Sequence, residues 1–231
     1  MIAVDLPGFG ASDRPHGSYD VGTQTERLAA FVDALGIRRL HLAGHSMGGH
    51  IAALYAARYP EQVTSLALIA NAGVSTPRRS AFFQRLEEQG DNPLLVDSEP
   101  QFDQLLDWLF VAPPQFPERL HQYLAQRAVA DSAHQRKVFE HLRDRYLPLE
   151  PELPRIQAPT LLLWGDQDRI LDVSSIETMK PLLKNASVVI IKDCGHAPIL
   201  ERPEESAADY LKFIDQASLQ AAQQRKPSQP R

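Results

Sequence analysis

The stretch Leu-Ala-Gly-His-Ser-Met-Gly-Gly-His occupies residues 42–50, and it decides the fold of this 231-residue chain. The apolar run RRLHLAG (38–44) comes before its serine and predicts a β-strand. The run MGGHIAALYAARY (47–59) follows the serine and predicts an α-helix. Between them stands the pattern Gly-x-Ser-x-Gly, which in this strand–turn–helix context is typical of an exposed, nucleophilic serine, here Ser46. The alternative is a glycine-rich turn that contains a serine by chance, and the flanking strand and helix argue against it.

The turn around Ser46 has to be tight if the strand is to leave directly as a helix. A side chain on either side would then clash with the backbone, so we expect Gly44 and Gly48 both to require the absence of a Cβ atom. Such a turn lifts the Ser46 hydroxyl above the sheet at a helix N-terminus, where backbone N–H groups point outward.

Strands and helices alternate on both sides of this motif, which predicts an α/β fold with a mostly parallel, doubly wound sheet. The predicted strands cover 2–6, 38–44, 63–71, 158–165 and 186–195, and the predicted helices cover 22–36, 47–59, 174–184 and 203–216. We interpret the strand-free, helical segment 75–154 as a lid inserted between two parts of the core, 1–74 and 155–217. The polar end of the chain, 218–231, is expected to be a disordered tail.

The composition excludes several classes of function. The net charge of −5 gives no electrostatic basis for binding nucleic acid. Cys194 is the single cysteine, and no Cys/His cluster has metal-ligand spacing, so we expect no disulfide, no metal and no cofactor. No apolar run approaches the roughly 20 residues that cross a bilayer, and no signal peptide is visible. The expected location of the chain as written is therefore the cytoplasm.

A nucleophilic serine needs a base to take its proton. Of the eight histidines, only His196 follows the last predicted strand in a turn, at the same sheet edge as Ser46. His45, on the opposite side of the turn, is expected to pack beneath the serine. Three histidines of the lid are expected to be solvated: His121, His134 and His141.

The base in turn needs an acid that orients it. After the fourth predicted strand the chain offers Asp166, Asp168 and Asp172. Asp166 directly follows a glycine and is most simply a turn residue, and Asp172 lies far enough along to cap the next helix. Asp168 is therefore the preferred acid. The other position for an acid, after the third predicted strand, holds Asn71, which cannot serve as a carboxylate.

Four segments resemble the α/β-hydrolase fold superfamily: DLPGFGASDRP (5–15), GHSMGGH (44–50), WGDQDRILD (164–172) and CGHAPILERPEE (194–205). The resemblance covers nearly the whole chain, and the segments around the serine and the acid are most similar to the monoacylglycerol lipase and bacterial lipase branch. It implies Ser46 as nucleophile, His196 as base, Asp168 as orienting acid and the Met47 backbone N–H as one oxyanion-hole donor.

The function that this resemblance implies is a serine hydrolase of carboxylic esters, with lipid esters such as monoacylglycerols as substrates. Two alternatives stay open: a C–C bond hydrolase of the same fold, and a ligand-binding or inactive relative. In the family, the strand IAVDL (2–6) follows three further strands, one of which supplies the second oxyanion N–H. We therefore expect an N-terminally truncated hydrolase that lacks these strands and that donor. A missing N-terminal segment is the expected route for any membrane association.

One helix of the lid, in the sequence FDQLLDWLF (102–110), is amphipathic. Its apolar residues are expected to pack on the body of the protein and to form the wall of an acyl pocket. These candidate substrate-binding residues are Phe102, Leu105, Leu106, Leu109 and Phe110.

Overall fold

The structure is a computed structural model, which describes residues 1–224 and the side chains of residues 1–219. Its sheet has four strands, all parallel and in sequential order. They are β1 (Leu40–His45), β2 (Val63–Ile69), β3 (Thr160–Gly165) and β4 (Ala186–Ile191).

The strands are joined by helices, as the alternating pattern predicts. The α-helices are α1 (Val21–Ala34), α2 (Met47–Arg58), α3 (Ala81–Gln89), α4 (Glu99–Leu109), α5 (Glu118–Asp144), α6 (Ser175–Met179), α7 (Pro198–Glu201) and α8 (Pro203–Gln224). Two short 3-10 turns cover Leu153–Arg155 and Lys180–Leu182. Within residues 1–224, no helix is both long and apolar enough to cross a membrane.

The sheet is covered on both faces, which confirms the doubly wound α/β prediction. Side chains of successive strand residues point to opposite faces. Leu66 and Leu68 of β2 belong to the large core cluster that also holds the buried apolar residues of α1 and α2. Ala67 and Ile69 belong to a second cluster, with Phe213 of α8. Strand β2 is almost fully buried, as expected of an apolar run in the middle of a parallel sheet.

The predicted strand over residues 2–6 is wrong. These residues have no regular secondary structure, and Ile2 and Val4 are 59% and 40% exposed. A strand needs a hydrogen-bonded neighbour, and none of the described strands pairs with this segment. Asp5 instead makes local contacts, since its carboxylate accepts the Ala11 N–H at 2.9 Å and its carbonyl accepts the Ser12 hydroxyl at 2.6 Å.

The predicted lid segment, 75–154, contains α3, α4 and α5, and its assignment as a separate unit stays a prediction. The tail prediction needs correction, because α8 runs to Gln224 and residues 218–224 are therefore helical. Ala, Leu and Gln dominate these residues and have high helix propensity, which favours continuation of the helix. The remaining seven positions, 225–231, lie outside the described residues.

Candidate active site

Ser46 lies between the last residue of β1 and the first residue of α2, as predicted. Its backbone has φ 54° and ψ −120°, a conformation that residues with a Cβ atom rarely adopt. Backbone hydrogen bonds fix it from two sides. The Ser46 N–H donates to the Ile69 carbonyl at 2.9 Å, and the Ser46 carbonyl accepts the Ala72 N–H at 3.1 Å. The end of β2 therefore holds the strained serine in place.

The glycines around Ser46 differ in whether the structure leaves space for a side chain at their positions. A Cβ atom at Gly44 would clash with the Gly48 carbonyl, and one at Gly49 would clash with the side chain of Asn71. A Cβ atom at Gly48 would meet open space, so the prediction that this glycine must lack a side chain is wrong. The close contacts in this turn are made by the Gly48 backbone, which approaches Gly44, and by Gly49, which approaches Asn71 just after β2.

His196 lies in the loop after β4, and its imidazole contacts both predicted partners. Its Nε2 is 3.0 Å from Ser46 Oγ, and its Nδ1 is 2.8 Å from Asp168 Oδ2. The side chains of His196 and Asp168 are only 4% and 0% exposed. A carboxylate can only accept, so Nδ1 carries the proton in this pair and Nε2 is left free to accept the Ser46 hydroxyl proton.

Asp168 is the one predicted acid that reaches His196. Its second oxygen, Oδ1, accepts the backbone N–H groups of Ile170 at 2.8 Å and Leu171 at 2.9 Å. The same loop therefore aims the carboxylate at the histidine. The two other candidates have different contacts, because Asp166 accepts the Cys194 N–H at 3.4 Å and Asp172 accepts the Ser174 N–H at 2.8 Å.

His45 contributes to the site in a way that the sequence did not reveal. Its Nε2 is 2.7 Å from the carbonyl oxygen of His196, and the two imidazole rings lie 4.8 Å apart. Burial, and after it the neighbouring His196, lower the pKa of His45 to about 4. A neutral His45 donates its Nε2 proton to that carbonyl. His45 thus contacts the loop that carries His196, and its packing beneath Ser46 stays a prediction.

The lid histidines are less solvated than predicted. The Nδ1 of His141 accepts the Tyr19 N–H at 3.0 Å, and the ring of His134 packs edge-on against the Tyr19 ring, with centroids 4.9 Å apart. Both side chains therefore fasten α5 to the loop before α1. His121 pairs with Asp103 at 2.7 Å and keeps 32% of its side chain exposed.

Met47 is the first residue of α2, where helix geometry leaves the backbone N–H without an intrahelical acceptor. This N–H directly follows Ser46. The helix N-terminus also carries partial positive charge, which favours a developing negative charge on a bound oxygen.

The apolar residues of α4 divide into two groups. Phe102, Leu105 and Leu106 pack in a cluster with Ala125 and other residues of α5, separate from the cluster around α2. The C-terminal end of the helix, in contrast, lies at the His196 loop. The carbonyl of Leu109 accepts the His196 N–H at 2.8 Å, and the buried Phe110 follows directly.

This geometry agrees with the comparison to known families. A family model described as the alpha/beta hydrolase fold matches residues 1–203. The chain belongs to the α/β-hydrolase family.

Individual relatives place this hydrolase in the monoacylglycerol lipase and bacterial lipase branch. It is 33% identical to the monoacylglycerol lipase abhd6-B of Xenopus laevis, over 98% of this chain and 70% of the relative. It is also 33% identical to Lipase 3 of Moraxella sp. (strain TA144), over 93% of this chain and 69% of the relative. A solved structure described as a membrane phospholipase A, a novel bacterial virulence factor, is 63% identical. That structure has a TM-score of 0.91, with 92% of this hydrolase and 69% of that chain covered.

Proposed function

We propose that this hydrolase cleaves carboxylic esters of lipids, with Ser46 as nucleophile, His196 as general base and Asp168 as orienting acid. The observation that carries the proposal is the unbroken line of contacts from Ser46 Oγ to His196 Nε2 at 3.0 Å and from His196 Nδ1 to Asp168 Oδ2 at 2.8 Å. Serine becomes an effective nucleophile at neutral pH when an adjacent base takes its proton, and this base is oriented by a buried carboxylate.

In the first half of the proposed reaction, Ser46 Oγ attacks the ester carbonyl carbon while its proton passes to His196 Nε2. The carbonyl oxygen becomes an oxyanion, which the Met47 N–H stabilises. The bond to the alcohol then breaks, and His196 gives its proton to the departing alcohol oxygen. The fatty acyl group remains on Ser46 as an ester.

In the second half, His196 Nε2 takes a proton from water, and the resulting hydroxide attacks the acyl carbon. Collapse of the second oxyanion intermediate breaks the bond to Ser46 Oγ, which recovers its proton from His196. Asp168 keeps its negative charge throughout and stabilises the imidazolium that forms in each half.

Two kinds of lipid ester are candidate substrates. The relative named monoacylglycerol lipase supports a monoacylglycerol, and the relative named Lipase 3 supports a lipid ester in general. The 63% identical structure, described as a membrane phospholipase A, supports the acyl ester of a phospholipid. Both are fatty acyl esters of glycerol, so the same acyl-enzyme would form from either, and a phospholipid substrate would bring the hydrolase to a membrane surface.

The acyl chain is proposed to bind along the predicted lid helix. Leu109 and Phe110 are the best supported members of this surface. The Leu109 carbonyl accepts a hydrogen bond from the His196 N–H, and Phe110 is the next residue. Phe102, Leu105 and Leu106 are proposed to contribute through the α4–α5 cluster, which holds the helix in position.

The proposal is tested by active-site labelling and by turnover. An alkyl phosphonate probe should label the wild-type chain once, at Ser46, and should not label Ser46→Ala. The wild-type chain should release fatty acid from monoacylglycerol or from phospholipid vesicles, and comparison of the two identifies the preferred headgroup. The proposal would be contradicted by labelling that persists in Ser46→Ala. It would also be contradicted if the wild-type chain bound the lipid tightly and released no fatty acid.

A further inference from the structure

The carboxylate of Glu201 joins two loops that are far apart in the sequence. Glu201 is the last residue of α7, five residues after His196. Its Oε2 accepts the N–H of Gly195 at 2.7 Å, and its Oε1 accepts the N–H groups of Val111 at 2.9 Å and Ala112 at 2.7 Å. Three backbone donors from two segments therefore converge on one side chain.

The two joined segments are the loop that carries His196 and the residues directly after α4. A fourth hydrogen bond connects them without Glu201, because the His196 N–H donates to the Leu109 carbonyl at 2.8 Å. The backbones are also in close contact, since a Cβ atom at Gly195 would come within 3.0 Å of the Phe110 Cα. The position of His196 is thus tied to the C-terminal end of the predicted lid helix.

A carboxylate suits this arrangement better than any neutral side chain. All three donors are N–H groups, and both carboxylate oxygens accept without presenting a proton of their own. A glutamine could accept on its oxygen only, and its NH2 group would then face a backbone N–H at either Gly195 or Val111 and Ala112. Hydrogen bonds to a charged acceptor are also about twice as strong as neutral ones.

We propose that Glu201 is a positioning residue. Its hydrogen bonds connect the loop that carries His196 to the residues directly after α4 and so keep His196 in line with Ser46. This inference rests on the proposed function, because it assigns Glu201 a role through the base of that reaction. His196 transfers a proton in both halves of the reaction, so a displaced imidazole slows chemistry while leaving ester binding largely unchanged. A misplacement of about 1 Å costs roughly 10²-fold in rate.

The test compares Glu201→Gln with Glu204→Gln, which removes the same charge from an exposed position three residues along the chain. On a short-chain ester, we expect Glu201→Gln to lower kcat roughly 10- to 100-fold with KM changed less than about twofold. Glu204→Gln should keep both constants. Rates are compared at a temperature where circular dichroism shows each variant fully folded. An unchanged kcat in folded Glu201→Gln, or an equal loss in both variants, would overturn the proposal.

A second measurement does not depend on activity. Hydrogen–deuterium exchange should accelerate together in peptides covering 109–112 and 194–197 of Glu201→Gln, and in neither peptide of Glu204→Gln. Unchanged exchange at both segments would overturn the positioning role even if the wild-type chain hydrolysed no ester. A wild-type chain without ester turnover but with coupled exchange would contradict the proposed function alone.

Discussion

Asp168 and His196 form a contact that is almost completely shielded from water, with Oδ2 2.8 Å from Nδ1. Asp168 lies in the loop after β3 and His196 in the loop after β4. Parallel pairing of these strands puts both loops at the same edge of the sheet. The hydrogen bonds from Ile170 and Leu171 to the other oxygen of Asp168 keep the carboxylate in this orientation.

The three aspartates of the β3 loop should respond very differently to removal of their charge. Asp168→Asn places an amide against the Nδ1 of His196 and disturbs its protonation, so kcat should fall by about 10⁴-fold. Asp166→Asn should lose less than about threefold, because an amide oxygen can still accept the Cys194 N–H. Steady-state kinetics on one ester compare them, with Asp172→Asn as control. The opposite ranking of Asp166 and Asp168 would show that the wrong acid was assigned.

Alanine substitutions at Gly44 and Gly48 should change the free energy of unfolding in opposite directions. Gly44→Ala should lower the free energy of unfolding by about 1–3 kcal/mol, because its Cβ atom would clash with the Gly48 carbonyl. Gly48→Ala should raise it by about 0.5–1 kcal/mol, because it replaces a glycine inside α2 and meets open space. Denaturant unfolding measures both. Equal destabilisation by the two substitutions would contradict the packing described for this turn.

His50 should make the stability of the hydrolase depend on pH. Burial lowers its pKa to about 4, while its Nε2 lies 2.8 Å from the Leu147 carbonyl. In the unfolded chain its pKa is about 6.5, so the unfolded state takes up the proton first as the pH falls. The stabilising contribution of neutral His50 is complete above about pH 6.5. It is lost on acidification toward pH 4, at up to about 1.4 kcal/mol per pH unit.

The variant His50→Gln keeps a donor for Leu147 but does not titrate. Its free energy of unfolding should therefore fall less steeply than that of the wild type between pH 7 and pH 5. The exposed His16, replaced in His16→Gln, serves as the control and should keep the wild-type slope. Denaturant titrations at several pH values give the slopes, and identical slopes in all three proteins would rule out this role of His50.

The two groups of apolar residues on α4 and directly after it should differ in their effect on chain-length preference. Phe110→Ala changes a buried residue next to the His196 loop, so kcat/KM should fall about 10-fold more for long-chain esters than for acetate esters. Leu106→Ala changes the α4–α5 cluster and should lower stability with little change in that ratio. Hydrolysis of a series of p-nitrophenyl esters measures the preference. An equal loss on every chain length for Phe110→Ala would argue against its acyl contact.

Local pattern was sufficient to predict most of the fold. The run before Ser46, the glycines around it and the helix after it determine a strand–turn–helix, because their periodicity and conformational freedom are local properties. The alternation of strands and helices then leads to a parallel sheet. The strand expected at 2–6 failed for a non-local reason, since strand formation depends on a neighbour that the residues themselves do not reveal.

The sequence by itself determined the residue types of the candidate site: a serine in a strained turn, a histidine after the last strand and an acid after the strand before it. The sequence also favoured Asp168 among the aspartates, and the tertiary structure brings it to His196. Only the tertiary structure decided that His45 contacts the loop that carries His196, and that Glu201 joins this loop to the end of α4. The physical reason is the distance along the sequence between the residues that make contact. Propensity and periodicity act over a few residues. Four of the five hydrogen bonds in these contacts, in contrast, join residues that are 28 to 151 positions apart in the sequence. Such contacts exist only after the chain has packed.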